Sequence, residues 1–281
     1  MLKSSTISAK DSVSSIAIGG FDGLHLAHQA LLARLDDNGA LLIIERGCKE
    51  ALTPGEERCR YTPYPCFFLD FQAVRGISAE AFGRFLREAF PSLEKIVVGY
   101  DFRFGKDRRG TPGTLRVYAG VEVEVVEEQR AGDLPIHSNT IREILRKGDV
   151  AAAANLLGRP YRIRGSVIRG QGLGKTTFFP TLNIETDNFL LPGEGVYVTQ
   201  TGIDGTFYPS VTFIGKRQTT DNLFSVETHL LDYVTDADPD EVEILFLEYL
   251  RGNRKFDYFE DLKMQIAEDI EEAKRYHRQT V

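Results

Sequence analysis

Two hydrophobic periods divide this chain, and the change between them near residues 158–160 constrains its fold more than any other feature. Upstream, short apolar runs at 15–18, 41–44, 95–98 and 121–126 alternate with helical patterns at 25–35, 80–89 and 141–157. Such alternation builds a parallel sheet covered by helices on both faces. Downstream, 161–167, 196–201, 208–214, 225–231 and 241–249 are strand-like, separated by Gly-, Pro- and Asp-rich turns with no helix between them. That texture predicts an antiparallel barrel or sandwich. A closing helix at about 259–277 carries Leu262, Ile266, Ile270 and Ala273 on one stripe. The expectation is two domains, 1–158 and 159–281, of fold class α/β followed by β.

Composition narrows the function classes. With 42% hydrophobic and 27% charged residues over 281 positions, both halves can bury a core, which excludes a disordered chain. No apolar run approaches the roughly 20 residues that span a bilayer, and the first residues hold no apolar segment of the signal-peptide kind. Cys48, Cys59 and Cys66 are odd in number and lack C-x-x-C spacing, so they fit neither a disulfide framework nor a zinc site and read as free thiols. These features predict a cytoplasmic protein with no membrane partner. The net charge is −7, and the second half carries 14 basic against 20 acidic groups. Neither half offers the basic surface that nucleic acid requires. Anionic small-molecule substrates must therefore be held by local loops. The oligomeric state is not legible.

The first strand pattern runs into Gly19-Gly20-Phe21-Asp22-Gly23-Leu24-His25-Leu26-Ala27-His28. Glycines let the backbone turn sharply and approach a ligand closely, and amides at the start of the following helix favour phosphate. His25 and His28 are three residues apart and share a helix face. Two imidazoles there can hold a triphosphate and stabilise charge on a pentavalent phosphorus. The plainer alternative is a turn with two partly buried histidines.

This stretch resembles the G-x-F-D-G-x-H-x-G-H signature of bacterial bifunctional riboflavin kinase/FAD synthetases, members of the H-x-G-H nucleotidyltransferase superfamily. A second block, 98–110, is similar to that family's G-x-D-F-x-F-G-x-x-R-x-G loop through Asp101, Phe102, Phe104, Gly105 and Arg109, with two aromatic rings for stacking and arginines for phosphate. A third, 136–142, resembles I-S-S-T-x-I-R through Ser138 and Arg142, with His137 and Asn139 in place of Ser and Thr. Ala27 replaces the glycine between the histidines, and the family's T-F-x-P-H-P stretch has no counterpart at 43–48. The resemblance implies a Rossmann-like domain in which Gly19, Phe21, Asp22 and Gly23 bind nucleotide. His25 and His28 would then stabilise the α-phosphate, while Ser138 and Arg142 grip the outgoing phosphates.

In the second half, Gly170, Gly172 and Gly174 alternate before Lys175. Successive amides of such a loop can wrap a diphosphate, although the P-loop spacing fails. The following Pro180-Thr181-Leu182-Asn183 resembles the P-T-A-N motif of riboflavin kinases, which implies that Thr181 and Asn183 hold Mg²⁺ against the nucleotide phosphates. Residues 215–219, with Arg217, are similar to the family's G-x-R-P-T. Residues 225–233 are similar to its V-E-x-H-L-L-D-F strand, which makes Glu227 the expected base for the attacking hydroxyl. Arg254 falls in a segment that lies near the flavin in the family.

By this resemblance the second half is a riboflavin-kinase-like barrel that forms FMN from riboflavin and ATP. The first half would join FMN to the AMP of a second ATP, giving FAD and pyrophosphate. The substitutions at 27, 137 and 139 leave open a kinase whose first half is a scaffold. A rival of another class is a flavin-binding regulator without catalysis.

Overall fold

A computed structural model describes residues 3–4, 10–47, 49–168, 179–217, 219, 222–232 and 239–279. The chain divides into two compact units, Met1–Ser138 and Asn139–Val281. This spatial division falls some twenty residues before the change of sequence texture, because the helices around 141–157 are counted with the second unit.

The first unit is built on β1 (Lys3–Ser4), β2 (Ser15–Gly19), β3 (Gly39–Glu45), β4 (Cys66–Asp70), β5 (Lys95–Gly99) and β6 (Glu122–Val126), in the sheet order β1-β4-β3-β2-β5-β6. Five strands run parallel and β1 pairs antiparallel with β4. Side chains alternate across a pleat, so Ile16, Ile18, Leu42, Phe67 and Val98 face one core with Phe82, Leu86 and Leu115. Ala17, Leu41, Ile43, Phe68 and Val97 face the other with Phe21, Leu24, Leu31 and Leu32. The expected two-sided parallel sheet is what forms.

Helix α1 (Leu26–Leu32) is shorter than the 25–35 pattern, since His25 is its cap and 33–38 turn into β3. A short α2 (Phe71–Val74) precedes α3 (Ala79–Ala89), which packs closely on α4 (Pro112–Ala119). A Cβ at Gly83 would stand 2.6 Å from the Tyr118 Cβ, so only glycine permits that approach. Strand β4 and helix α4 were not expected from periodicity. The first is a brief unbroken apolar run. The second is announced only by its capping box, Thr111 with Thr114, and Pro112 at its start. A two-stranded ribbon of β7 (Arg130–Ala131) and β8 (Leu134–Pro135) precedes the last helix of this region.

The 141–157 pattern becomes two helices, α5 (Ser138–Arg146) and α6 (Val150–Leu157), rather than one. Gly148 at φ 84° breaks the run, and Asp149 caps α6 by accepting from the Ala152 amide.

Strand texture alone left barrel and sandwich open, and the family resemblance favoured the barrel; the second unit is the closed antiparallel barrel so expected. Its strands are β9 (Tyr161–Ile168), β10 (Leu182–Glu185), β11 (Gly195–Ile203), β12 (Thr206–Lys216), β13 (Phe224–Leu230) and β14 (Glu241–Arg251), in the order β10-β13-β12-β11-β14-β9, with β9 and β10 closing the ring. Strand β10 was not expected. Val196, Val198, Val211 and Phe213 point outward onto Ile266, Ile270 and Ala273 of α7 (Phe259–Gln279). Inside stand five fully buried hydroxyls, Thr199, Thr201, Ser210, Thr212 and Thr228. They satisfy one another at 2.8–3.0 Å, which is how an interior tolerates them. Arg251 anchors α7 through a two-bond contact with the buried Asp269 carboxylate, at 2.8 and 2.6 Å.

Candidate active sites

In the first unit the glycine-rich exit of β2 turns sharply, with Phe21, Gly23 and Leu24 all at positive φ. Asp22 does not face outward. Its carboxylate accepts from the Leu52 and Thr53 amides at 3.1 and 2.9 Å, while Gly23 N donates to Thr53 Oγ1 at 2.7 Å. This staple ties the turn to the 51–53 segment and presents His25 and His28. Their rings stack at a centroid distance of 3.6 Å, with Phe21 against His28 at 5.1 Å.

The hydrogen bonds fix the His25 tautomer. Its Nδ1 accepts from the His28 amide at 3.4 Å, so the ring proton sits on Nε2, which reaches Ser138 Oγ at 3.4 Å. Ser138 Oγ in turn donates to the Asp22 carbonyl at 2.8 Å. Burial, seconded by the charges of His25, Arg58 and His137, pushes the His28 imidazole well below its usual range, so the ring is neutral. Ser138 therefore positions His25 here. Arg142 bonds Asn139 Oδ1 at 2.8 Å.

The 98–110 loop separates into two kinds of residue. Phe104 is buried against Phe82 at 5.2 Å, with Phe102 stacked on it at 5.6 Å and Gly110 beneath its ring, so Phe104 is a core side chain. Asp101 and Arg109 are exposed, and Gly105 takes φ 68°. Gly19 ends β2 against the Phe21 ring. At the rim, Tyr100 donates to Glu128 at 2.7 Å and lies 3.3 Å from His137 Nε2. The Glu128 carboxyl is held below its usual range by the Tyr100 hydrogen bond and then by Arg130.

In the second unit Asn183 pairs with Glu227 across β10 and β13, so both side chains project from the same outer face of the barrel. Thr181, two residues before Asn183, directly precedes β10. Arg217 reaches Glu227 at 3.3 Å, both side chains about one-fifth exposed. His229 Nδ1 donates to the Pro180 carbonyl at 2.8 Å, which pins the chain entering Thr181. Arg254 lies over the Phe256 ring at 4.5 Å. Gly170, Gly172, Gly174 and Lys175 lie outside the described residues, as does Cys48. Cys59 is half-buried and Cys66 buried.

A family model described as riboflavin kinase matches residues 157–277. The chain is 32% identical to the bifunctional riboflavin kinase/FMN adenylyltransferase of Haemophilus influenzae, over 93% of this chain and 94% of that protein. The protein of the same description from Pseudomonas fluorescens is also 32% identical, over 92% and 91%. The chain belongs to the bifunctional riboflavin kinase/FMN adenylyltransferase family. The similarity covers both units, as does that to a solved structure described as a macrolide-efflux protein from Streptococcus pneumoniae, with a TM-score of 0.83 at 27% identity and 94% of each chain covered. Among the described residues, no helix is long and apolar enough to cross a membrane.

Within this riboflavin kinase/FMN adenylyltransferase frame, sequence reasoning missed Leu52, Thr53 and Arg58. The first two act on Asp22 partly through backbone amides, which leave no residue-type signal. Arg58 lies in a 3-10 turn, Gly55–Tyr61, in the stretch where the chain departs from the family pattern.

Proposed function

We infer that this chain phosphorylates riboflavin to FMN and then adenylylates FMN to FAD. The observation that carries the reading is that both candidate sites survive as assembled geometry: Glu227 opposite Asn183 in one unit, and the stacked His25/His28 pair tied to Asp22 in the other. Full-length similarity to relatives named for both reactions supports it.

For the kinase step, Glu227 takes the proton of the ribityl 5′-hydroxyl as that oxygen attacks the γ-phosphorus of ATP and the bond to the ADP oxygen breaks. Arg217 holds the carboxylate in place. Thr181 and Asn183 offer a hydroxyl and an amide oxygen beside that carboxylate, a hard donor set with few charged ligands. That set fits Mg²⁺ carried in on nucleotide phosphates. Bound there, Mg²⁺ would neutralise charge on the transferring phosphoryl group.

For the adenylyl step, a phosphate oxygen of FMN attacks the α-phosphorus of ATP, and the bond to the β-phosphate breaks to release pyrophosphate. The neutral His28 ring and the His25 Nε2 proton, released from Ser138 Oγ as nucleotide binds, are the donors for the α-phosphate oxygens, and Ser138 holds His25 in that orientation beforehand. ATP, riboflavin and FMN are the small-molecule partners.

The test uses one variant for each unit. Glu227→Gln should stop FMN formation while still converting supplied FMN and ATP to FAD, and His28→Asn should do the reverse. Loss of both products in either variant would contradict the assignment of one reaction to each site.

A further inference from the structure

Thr181, a proposed oxygen donor for Mg²⁺, sits where the barrel ladders do not reach. Among the described residues, β10 pairs with β13 only through Leu182–Thr228 and Asn183–Glu227, and with β9 only through 183–185. Thr181 therefore lies just beyond both ladders, and Pro180 before it has no N–H with which to extend either. The side chain of His229 holds this entry instead. Its Nδ1 reaches the Pro180 carbonyl at 2.8 Å, and a carbonyl only accepts, so the proton sits on Nδ1. The Phe179 ring meets the imidazole edge-on, with a centroid distance of 6.0 Å and 86° between the planes. Phe179 in turn packs on the cluster of Val196, Val198 and Ile270. The imidazole is thus fixed from two sides.

We propose that His229 is a positioning residue of the kinase step: by binding the Pro180 carbonyl it locks Thr181 beside Asn183 and at a fixed distance from Glu227. The proposal rests on the kinase reading. His229 stands two residues from Glu227 on β13, and side chains two apart share one face of a strand. One short run of β13 therefore carries both the base and the pin for the strand entry that faces it. Movement of that entry relative to the base would draw the phosphoryl group away from the attacking hydroxyl, and a misplacement of about 1 Å costs on the order of 10²-fold in rate.

A ring that only filled space at this half-exposed position would need no nitrogen at Nδ1. Nitrogen placement is therefore what separates positioning from packing. The amide nitrogen of an asparagine falls close to the place of Nδ1, and that of a glutamine close to the place of Nε2. His229→Asn thus keeps the bond to Pro180, and His229→Gln loses it with a side chain of equal polarity. His229→Leu removes the donor and leaves an apolar surface for Phe179.

The experiment compares these three variants with wild type in the full chain. His229→Gln and His229→Leu should raise the Mg²⁺ concentration for half-maximal FMN formation and the KM for ATP by about tenfold, with the KM for riboflavin unchanged. His229→Asn should stay near wild type. A second readout needs no turnover: ADP is titrated onto riboflavin-loaded protein with and without Mg²⁺, and flavin fluorescence reports ADP binding at the site that holds riboflavin. The gain in ADP affinity that Mg²⁺ brings should shrink in the Gln and Leu variants and persist in the Asn variant. FAD formation from supplied FMN and ATP should be unchanged in all three, which shows that the chain is folded. If His229→Leu does not fold, the Asn and Gln pair carries the comparison. Wild-type Mg²⁺ and ATP dependence in His229→Gln, or equal impairment in the Asn and Gln variants, would overturn the proposal. If wild type forms no FMN, the kinase reading fails, while the Mg²⁺ dependence of ADP binding still decides whether His229 positions the entry.

Discussion

Glu227 and His28 are both polar groups on well-formed elements, yet their surroundings suit them to different work. Glu227 is partly exposed, paired with Arg217 and set opposite Asn183, the placement that the proposed base requires. Replacing it with Gln keeps the shape and removes the base. Riboflavin phosphorylation should fall by about 10²–10⁴-fold, with riboflavin binding, read by flavin fluorescence, retained. His28 is half-buried, stacked on His25 and neutral. The residues themselves were picked out in the sequence, the two histidines by their spacing behind a glycine-rich turn and Glu227 by the resemblance of its strand to the family. The part of Thr53 was not legible, because it holds Asp22 partly through its backbone amide, which no local pattern records. Phe104 shows the opposite error. An aromatic in a glycine-rich loop looked available for stacking, but the 2.6 Å that a Gly110 Cβ would leave to its ring shows it wedged into the core.

The elements themselves were legible where the hydrophobic period ran long enough to choose between helix and strand. Strands β2, β3, β5 and β6 and helices α3 and α7 followed from that period. Strand β10 spans only four residues and α4 is capped by two threonines, so periodicity had little to grip. The α5–α6 break was hidden by continuous helical patterning, with only Gly148 and Asp149 to mark it. Close contacts between elements were invisible until the fold was in view. The α3–α4 approach at Gly83 is one: Gly83→Val should destabilise the first unit by about 1–3 kcal/mol through overpacking, measured by denaturant titration. The barrel interior is another. Thr212 bonds both Thr199 and Thr228, so Thr212→Val should cost about 1–3 kcal/mol by leaving buried hydroxyls short of a partner.

The whole molecule combines two units that each hold a half-buried imidazole in neutral form. Burial lowers His277 as it does His28, although the Thr199 and Ser210 backbone contacts partly offset this for His277. A folded-state value below the ordinary 6.5 means that the unfolded chain binds more protons as pH falls. The stabilisation from neutral imidazoles is thus fully present above about 6.5 and is lost as pH drops through and below that range. Thermal midpoints measured from pH 7.5 down to 5.5 should decline, and His277→Gln should flatten that decline; an equally steep decline in the variant would contradict the account.

The central claim is that one chain carries flavin through two successive transfers, and it is tested most directly by following flavins over time. Purified protein would be incubated with riboflavin, ATP and Mg²⁺ and the products separated by chromatography. The account predicts that FMN rises first and then gives way to FAD. FMN that accumulates without FAD, even when FMN is supplied directly with fresh ATP, would contradict it and leave the first unit without its assigned reaction.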